Sequence, residues 1–124
     1  MIQTLRIEGI PMSLNVYRNA HYYQLNKEKE TWEQIVSVAV HTQKIKPIER
    51  CKVTFEFWFK DKRRHDPDNY SASAKFLLDG MVKAGVLEDD NFNVIEELSL
   101  KQGGISKQPF ILIHLEDADA FCRD

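Results

Sequence analysis

The sequence predicts an α+β domain: a small mixed sheet of about four strands with two main helices, in the order β-α-β-α-β-β. Three observations predict it. Residues Cys51 to Lys60 alternate strictly, with Val53, Phe55, Phe57 and Phe59 on one face and Lys52, Thr54, Glu56, Trp58 and Lys60 on the other. From Lys27 to about Gln43, Trp32, Ile35, Val36, Ala39 and Val40 recur at helical spacing. A second helical stretch, from about Asn69 to Ala84, ends at Gly85, where a left-handed C-cap favours glycine.

The remaining elements follow in order. Ile2 to Glu8 alternates weakly and reads as a first strand ended by Gly9-Ile10-Pro11. Ser13 to Asn26 is polar and aromatic without a clean period, so a long loop is expected there. Asn26 is the expected N-cap of the first helix, and Pro47 lies beyond its end. In the second helix Leu77, Gly80, Met81 and Ala84 can face the core. Val94 to Lys101 and Pro109 to Glu116 read as strands, with Gln102 to Gln108 joining them as a hairpin through Gly103-Gly104. The tail from Asp117 to Asp124 is expected to fray.

The 124 residues suit one domain, 1–124, large enough to bury a core. With 43% hydrophobic and 29% charged residues the composition is that of a soluble globular chain. No apolar run approaches the ~20 residues of a membrane span. The first residues lack the blocks of a signal peptide, so a cytoplasmic protein is expected. Cys51 and Cys122 have no Cys or His at zinc-ligand spacing and read as incidental thiols rather than a disulfide.

The net charge of −2 conceals an uneven distribution. Lys44, Lys46, Arg50, Lys52, Lys60, Lys62, Arg63 and Arg64 face only Glu49, Glu56 and Asp61 within the same stretch. The basic run leads directly into Arg63-Arg64-His65-Asp66-Pro67-Asp68-Asn69, and Asp89-Asp90 follows the next helix. Carboxylates beside arginines suit a divalent cation and a phosphate held together. Each piece also has a plainer reading. Asp66-Pro67 is a turn signal, Asp68 a natural N-cap, and Glu88-Asp89-Asp90-Asn91 a solvated turn. Lys75 falls within ~20° of the Asp68 direction around the helix. It equally has Asp79 at i+4 for a surface ion pair. The intervening helix carries the chain about 24 Å away at ~1.5 Å per residue, so Asp90 returns to the same site either within one chain or from a second copy.

Other chemistries fail on spacing. Calcium loops started at Asp66 or Asp89 place Ser71 and Leu77, or Val94 and Leu100, where glycine and glutamate are required. No phosphate-binding glycine loop is present. His21, His41, His65 and His114 show no ligand spacing.

Taken in order, these motifs resemble the RusA-type Holliday junction resolvases, small endodeoxyribonucleases of bacteria, phages and prophages. The resemblance rests on the basic run with Asp66-Pro67-Asp68-Asn69, then Lys75 with Asp79, Lys83-Ala84-Gly85 and Asp89-Asp90. Upstream it includes Pro11-Met12-Ser13-Leu14-Asn15-Val16-Tyr17-Arg18, so it spans Pro11 to about Glu97. The step from Asn69 to Lys75 is longer than in the family pattern. The resemblance implies a RusA-like fold and a homodimer that resolves four-way DNA junctions in recombination and repair. It implies Asp66, Asp68 and Asp90 as ligands of Mg²⁺ (or Mn²⁺) and Lys75 as the catalytic lysine. Asp79 and Asp89 are secondary candidates. Asn15, Arg18, Lys62, Arg63, Arg64 and Asn69 are candidates for contact with branched DNA. A non-catalytic branched-DNA-binding dimer and a related nuclease acting on flaps or forks are the alternatives.

Overall fold

In a computed structural model, which describes residues 1–118, the chain is a mixed α+β domain. Its elements are β1 (Ile2–Glu8), α1 (Leu14–Asn19), α2 (Tyr22–Thr42), β2 (Cys51–Phe59), a 3₁₀ turn (Pro67–Tyr70), α3 (Ser71–Lys83), β3 (Ile95–Ile105) and β4 (Phe110–Asp117). The strands form one sheet in the order β1-β4-β2-β3. β4 runs antiparallel to both neighbours, whereas β2 and β3 are parallel, joined through α3.

Alternation builds the sheet. Every second residue of β2, from Cys51 to Phe59, is buried, and Leu5, Ile7, Ile111, Ile113 and Leu115 supply the same face from β1 and β4. Val36 of α2 and Leu77 and Met81 of α3 close the core against it. A methyl placed on Gly80 would stand 2.9 Å from the Val36 Cβ, so the glycine lets the two helices approach. Gly85 ends α3 at φ +83, with the Gly85 N–H donating to Val82 and the Val86 N–H to Met81, the paired bonds of a Schellman cap. Buried Val86 and Leu87 then anchor the reversal of the chain toward β3.

Several expectations need correction. The stretch from Ser13 to Asn26 is not a loop. It holds α1 and the first turns of α2, where the His21 ring accepts from the Tyr23 N–H in place of an Asn26 cap. Tyr22 and Tyr23 are 66% and 73% exposed, so no buried face imposes a period there. Gln102 to Gln108 is not a hairpin, because β2 separates β3 from β4. Gly103 and Gly104 lie within β3 under the Trp58 indole, and a Cβ at Gly103 would fall 2.3 Å from Trp58 Nε1. β4 is apolar enough for an interior position, while the largely exposed β3 takes an edge. Asp68 does not cap α3, since Pro67 starts a 3₁₀ turn before it and Asp66 stands at that turn's N-cap position. Ala84 is only half-buried, and Asp117 closes β4, whereas the rest of the expected tail and Cys122 lie outside the described residues.

The second face of the sheet carries a polar network centred on Glu56. Its carboxylate accepts from the Trp58 indole at 2.7 Å, and lies 3.2 Å from His114 Nε2 and 3.4 Å from Lys101 Nζ. His114 Nδ1 in turn meets the Thr4 hydroxyl at 3.0 Å, so the network touches all four strands. The Trp58 hydrogen bond is the largest influence holding the Glu56 carboxyl below its ordinary range. Among the described residues no helix is long and apolar enough to cross a membrane.

Candidate active site

The reversal after α3 returns Asp90 to the helix that precedes it. Lys75, exposed along most of its stem, places its ammonium 2.9 Å from Asp90 Oδ2 and 3.0 Å from Asp79 Oδ1. Both carboxylates are three-quarters buried. Asp89 holds the turn by accepting from the Asp90 N–H at 2.7 Å and from the Asn91 amide at 3.2 Å. Asn91 repeats the device one step on, accepting from the Asn93 N–H. Asp89 is therefore a positioning residue for Asp90.

Electrostatics follow from this triad. The hydrogen bond from Lys75 is the main influence holding the Asp90 carboxyl below its ordinary range, against the opposing effect of burial. The same bond, then that to Asp79, raises the Lys75 ammonium above its usual value. Lys75 is thus a fixed positive charge at neutral pH and not a general base, and Asp90 is ionised. Beside the triad a groove of about 240 Å³ opens between α3 and the α1–α2 segment, lined by Lys75 and Asp79 with Tyr17, Tyr22, Asn26 and Lys29.

Asp66 and Asp68 lie on the turn that leads into the N-terminus of α3. Asp66 is extended before Pro67, at φ −88 and ψ 127, and its carboxylate meets Arg64 Nε at 2.9 Å. Asp68 is exposed, with its backbone oxygen accepting from the Ser71 hydroxyl. Among the described residues no three of His, Cys, Asp and Glu gather closely enough to form a metal cluster. The structure brings Asp90, Asp79 and Lys75 together, while Asp66 meets Arg64 and the Asp68 backbone oxygen meets Ser71. Hard oxygen donors at Asp79 and Asp90 nonetheless suit Mg²⁺, which commonly takes one or two carboxylates, substrate phosphate and water.

Compared with protein-family models the chain matches none, and no curated protein matches it.

The nucleic-acid candidates divide in two. Lys62, Arg63 and Arg64 project from the turn after β2, and the two arginines are 85% and 87% exposed despite Nε contacts to Asp61 and Asp66. Their remaining N–H groups face solvent, as phosphate contacts require. Arg18 is likewise exposed on α1. Asn69 has a structural task, because its side-chain oxygen accepts from the Asn15 N–H at 3.0 Å and fixes the first turn of α1. Asn15 keeps an exposed side chain.

His65 and Tyr70 carry a feature that sequence spacing missed. The His65 ring stacks on Phe59 at 3.8 Å between centroids, and its Nδ1 meets the Tyr70 hydroxyl at 2.8 Å. The signal was present in the aromatic alternation of β2 running into the His65-Asp66-Pro67 turn, although the ring contact itself depends on the fold. Cys51 is a core residue whose thiol burial pushes up to about 11, so it is no nucleophile.

Proposed function

We propose that this chain is a RusA-type, metal-dependent endodeoxyribonuclease that acts as a homodimer on four-way DNA junctions. The observation that carries the reading is the meeting of Asp90, Lys75 and Asp79. These positions are spread across two motifs of the resemblance, and a single chain gathers them at 2.9–3.0 Å.

In this reading Asp66, Asp68 and Asp90 would hold Mg²⁺ (or Mn²⁺), a hard cation that takes carboxylate oxygens and bridges them to a substrate phosphate, with Asp79 a secondary ligand. The ion, when bound, supplies an activated water and offsets charge on the scissile phosphate. Lys75 supplies a permanent cation for the charge that develops on the phosphate oxygens. Asp89 keeps Asp90 aimed. Lys62, Arg63 and Arg64 neutralise flanking phosphates, so binding reads branch geometry and weakens with salt.

A second reading has its own observation. Asp66 is paired with Arg64 at 2.9 Å, an ion pair that a non-catalytic branched-DNA-binding dimer would equally carry. Incubating the protein with junction, fork, flap and linear duplex DNA in Mg²⁺ and in EDTA separates the two. Paired cuts in the junction support resolution, and cuts confined to flaps or forks assign a related nuclease. Junction binding in EDTA with no cleavage in Mg²⁺ supports the binder, and no affinity for any branched substrate removes both.

A further inference from the structure

A pocket of about 100 Å³ lies beside the Asp66 turn, lined by Phe59, His65, Pro67, Tyr70, Leu100 and Gln102 among others. It is far smaller than the ~300–1,000 Å³ of a site that encloses a drug-sized ligand, which restricts an occupant to a single small planar group. Its walls are aromatic, and because Phe59 is buried between Phe57 and His65, the open ring surfaces are those of His65 and Tyr70. Phe59 and His65 stack within 6° of parallel, and Tyr70 stands tilted at 5.0 Å from Phe59. The Tyr70 hydroxyl pins the His65 ring through Nδ1. Polar capacity is present as well. Gln102 brings an amide that donates and accepts. The residues that flank the pocket in the chain, Arg63 and Arg64, are the exposed cations already assigned to phosphate.

We infer that this pocket receives a single unpaired nucleobase from the DNA strand held by Arg63 and Arg64, an inference that rests on the nuclease reading. Aromatic walls offer stacking to any base, and stacking supplies binding without demanding sequence. The Gln102 amide adds an edge that distinguishes one base from another. A base displaced from its helix at a branch point is the occupant that suits a small flat cavity bordered by phosphate-binding arginines. It also places the neighbouring phosphates at the Asp66-Pro67-Asp68 turn.

The test is titration of the intact chain with the four deoxynucleoside monophosphates, following the His65 and Tyr70 ring signals by NMR. Inorganic phosphate and deoxyribose 5-phosphate serve as controls. We expect saturable shifts with nucleotides and not with the controls. Leu100→Phe, which fills the pocket from a half-exposed position, should weaken them at least tenfold. Gln102→Ala should keep the shifts but narrow the differences among the four bases, which decides the matter if the larger substitution disturbs the fold. Ring shifts that are absent, that appear equally with the controls, or that persist unchanged in both variants overturn the pocket. Junction cleavage is scored separately, so a chain that cuts without binding nucleotide here loses only the pocket, and one that binds nucleotide without cutting loses only the nuclease reading.

Discussion

Lys75 and Asp90 lie 15 residues apart in the chain and meet at 2.9 Å. The contact depends on the Schellman cap at Gly85 and on buried Val86 and Leu87, which together reverse the chain. It gives the lysine a fixed charge and the aspartate a fixed direction.

Replacing Lys75 by Gln should lower the single-turnover cleavage rate by ~10²–10³, the range for removing one charge-stabilising donor. Junction affinity should change only a few-fold, because the exposed arginines supply most phosphate contact. Lys75→Arg should recover part of the rate. Equal loss of rate and affinity would return Lys75 to a purely structural ion pair.

The pH dependence follows from two opposite shifts. The Asp90 carboxyl is lowered, so its contribution to stability is present above its ordinary range near ~3.9 and disappears as pH falls through the lower folded value. The Lys75 ammonium is raised, so its contribution is present below ~10.4 and disappears only as pH rises through its higher folded value. Thermal unfolding of wild type and Asp90→Asn from pH 3 to 10 should therefore differ by a near-constant amount across the neutral range and converge at the acid end. A difference that vanishes between pH 6 and 8 would contradict this assignment.

Gly80→Ala should destabilise the fold by ~1–3 kcal/mol, because the new methyl meets Val36 at 2.9 Å. Val36→Ala opens space on the facing helix, so the double variant should regain part of that loss despite its own cavity. Urea denaturation of the two single variants and the double variant measures this coupling. Strict additivity would mean that the helices do not touch at this point.

Arg63→Ala combined with Arg64→Ala should weaken junction binding and flatten its salt dependence, with each lost phosphate contact reducing the slope by ~0.9. Their side chains are almost fully exposed, so the melting temperature should hold. An unchanged slope removes the pair from the DNA surface.

Glu56→Gln should destabilise the sheet by ~1 kcal/mol at neutral pH, through weaker acceptance from Trp58, His114 and Lys101. The loss should shrink in acid, because the lowered Glu56 carboxyl gives its stability only while ionised. Denaturation midpoints at pH 7 and pH 3 test it, and equal losses at both would exclude a charge contribution.

What was legible in the sequence follows the range of the interactions involved. β2 was readable residue by residue because one buried face imposes period two. The Gly85 stop was readable because a left-handed backbone is a local demand. α1 was not, because none of its residues is buried and its first turn is held by Asn69, 54 residues away. Gly103-Gly104 looked like a turn because two glycines are locally ambiguous, and only the Trp58 indole on the neighbouring strand explains them. At the site, Lys75 with Asp79 was legible as a helical pair. The arrival of Asp90 was not, since it depends on where the chain turns after α3. The Arg64 contact of Asp66 was equally hidden, because it depends on the turn that Pro67 begins.

The measurement closest to the central claim is cleavage of a four-way junction in Mg²⁺ by the wild-type chain and by Asp90→Asn, at protein concentrations that saturate binding for each. Paired cuts by wild type, slowed at least ~10²-fold in the variant while junction binding persists, are the predicted result. Wild-type protein that binds the junction but leaves it intact in Mg²⁺ and Mn²⁺, or a variant that cuts at the wild-type rate, would contradict it.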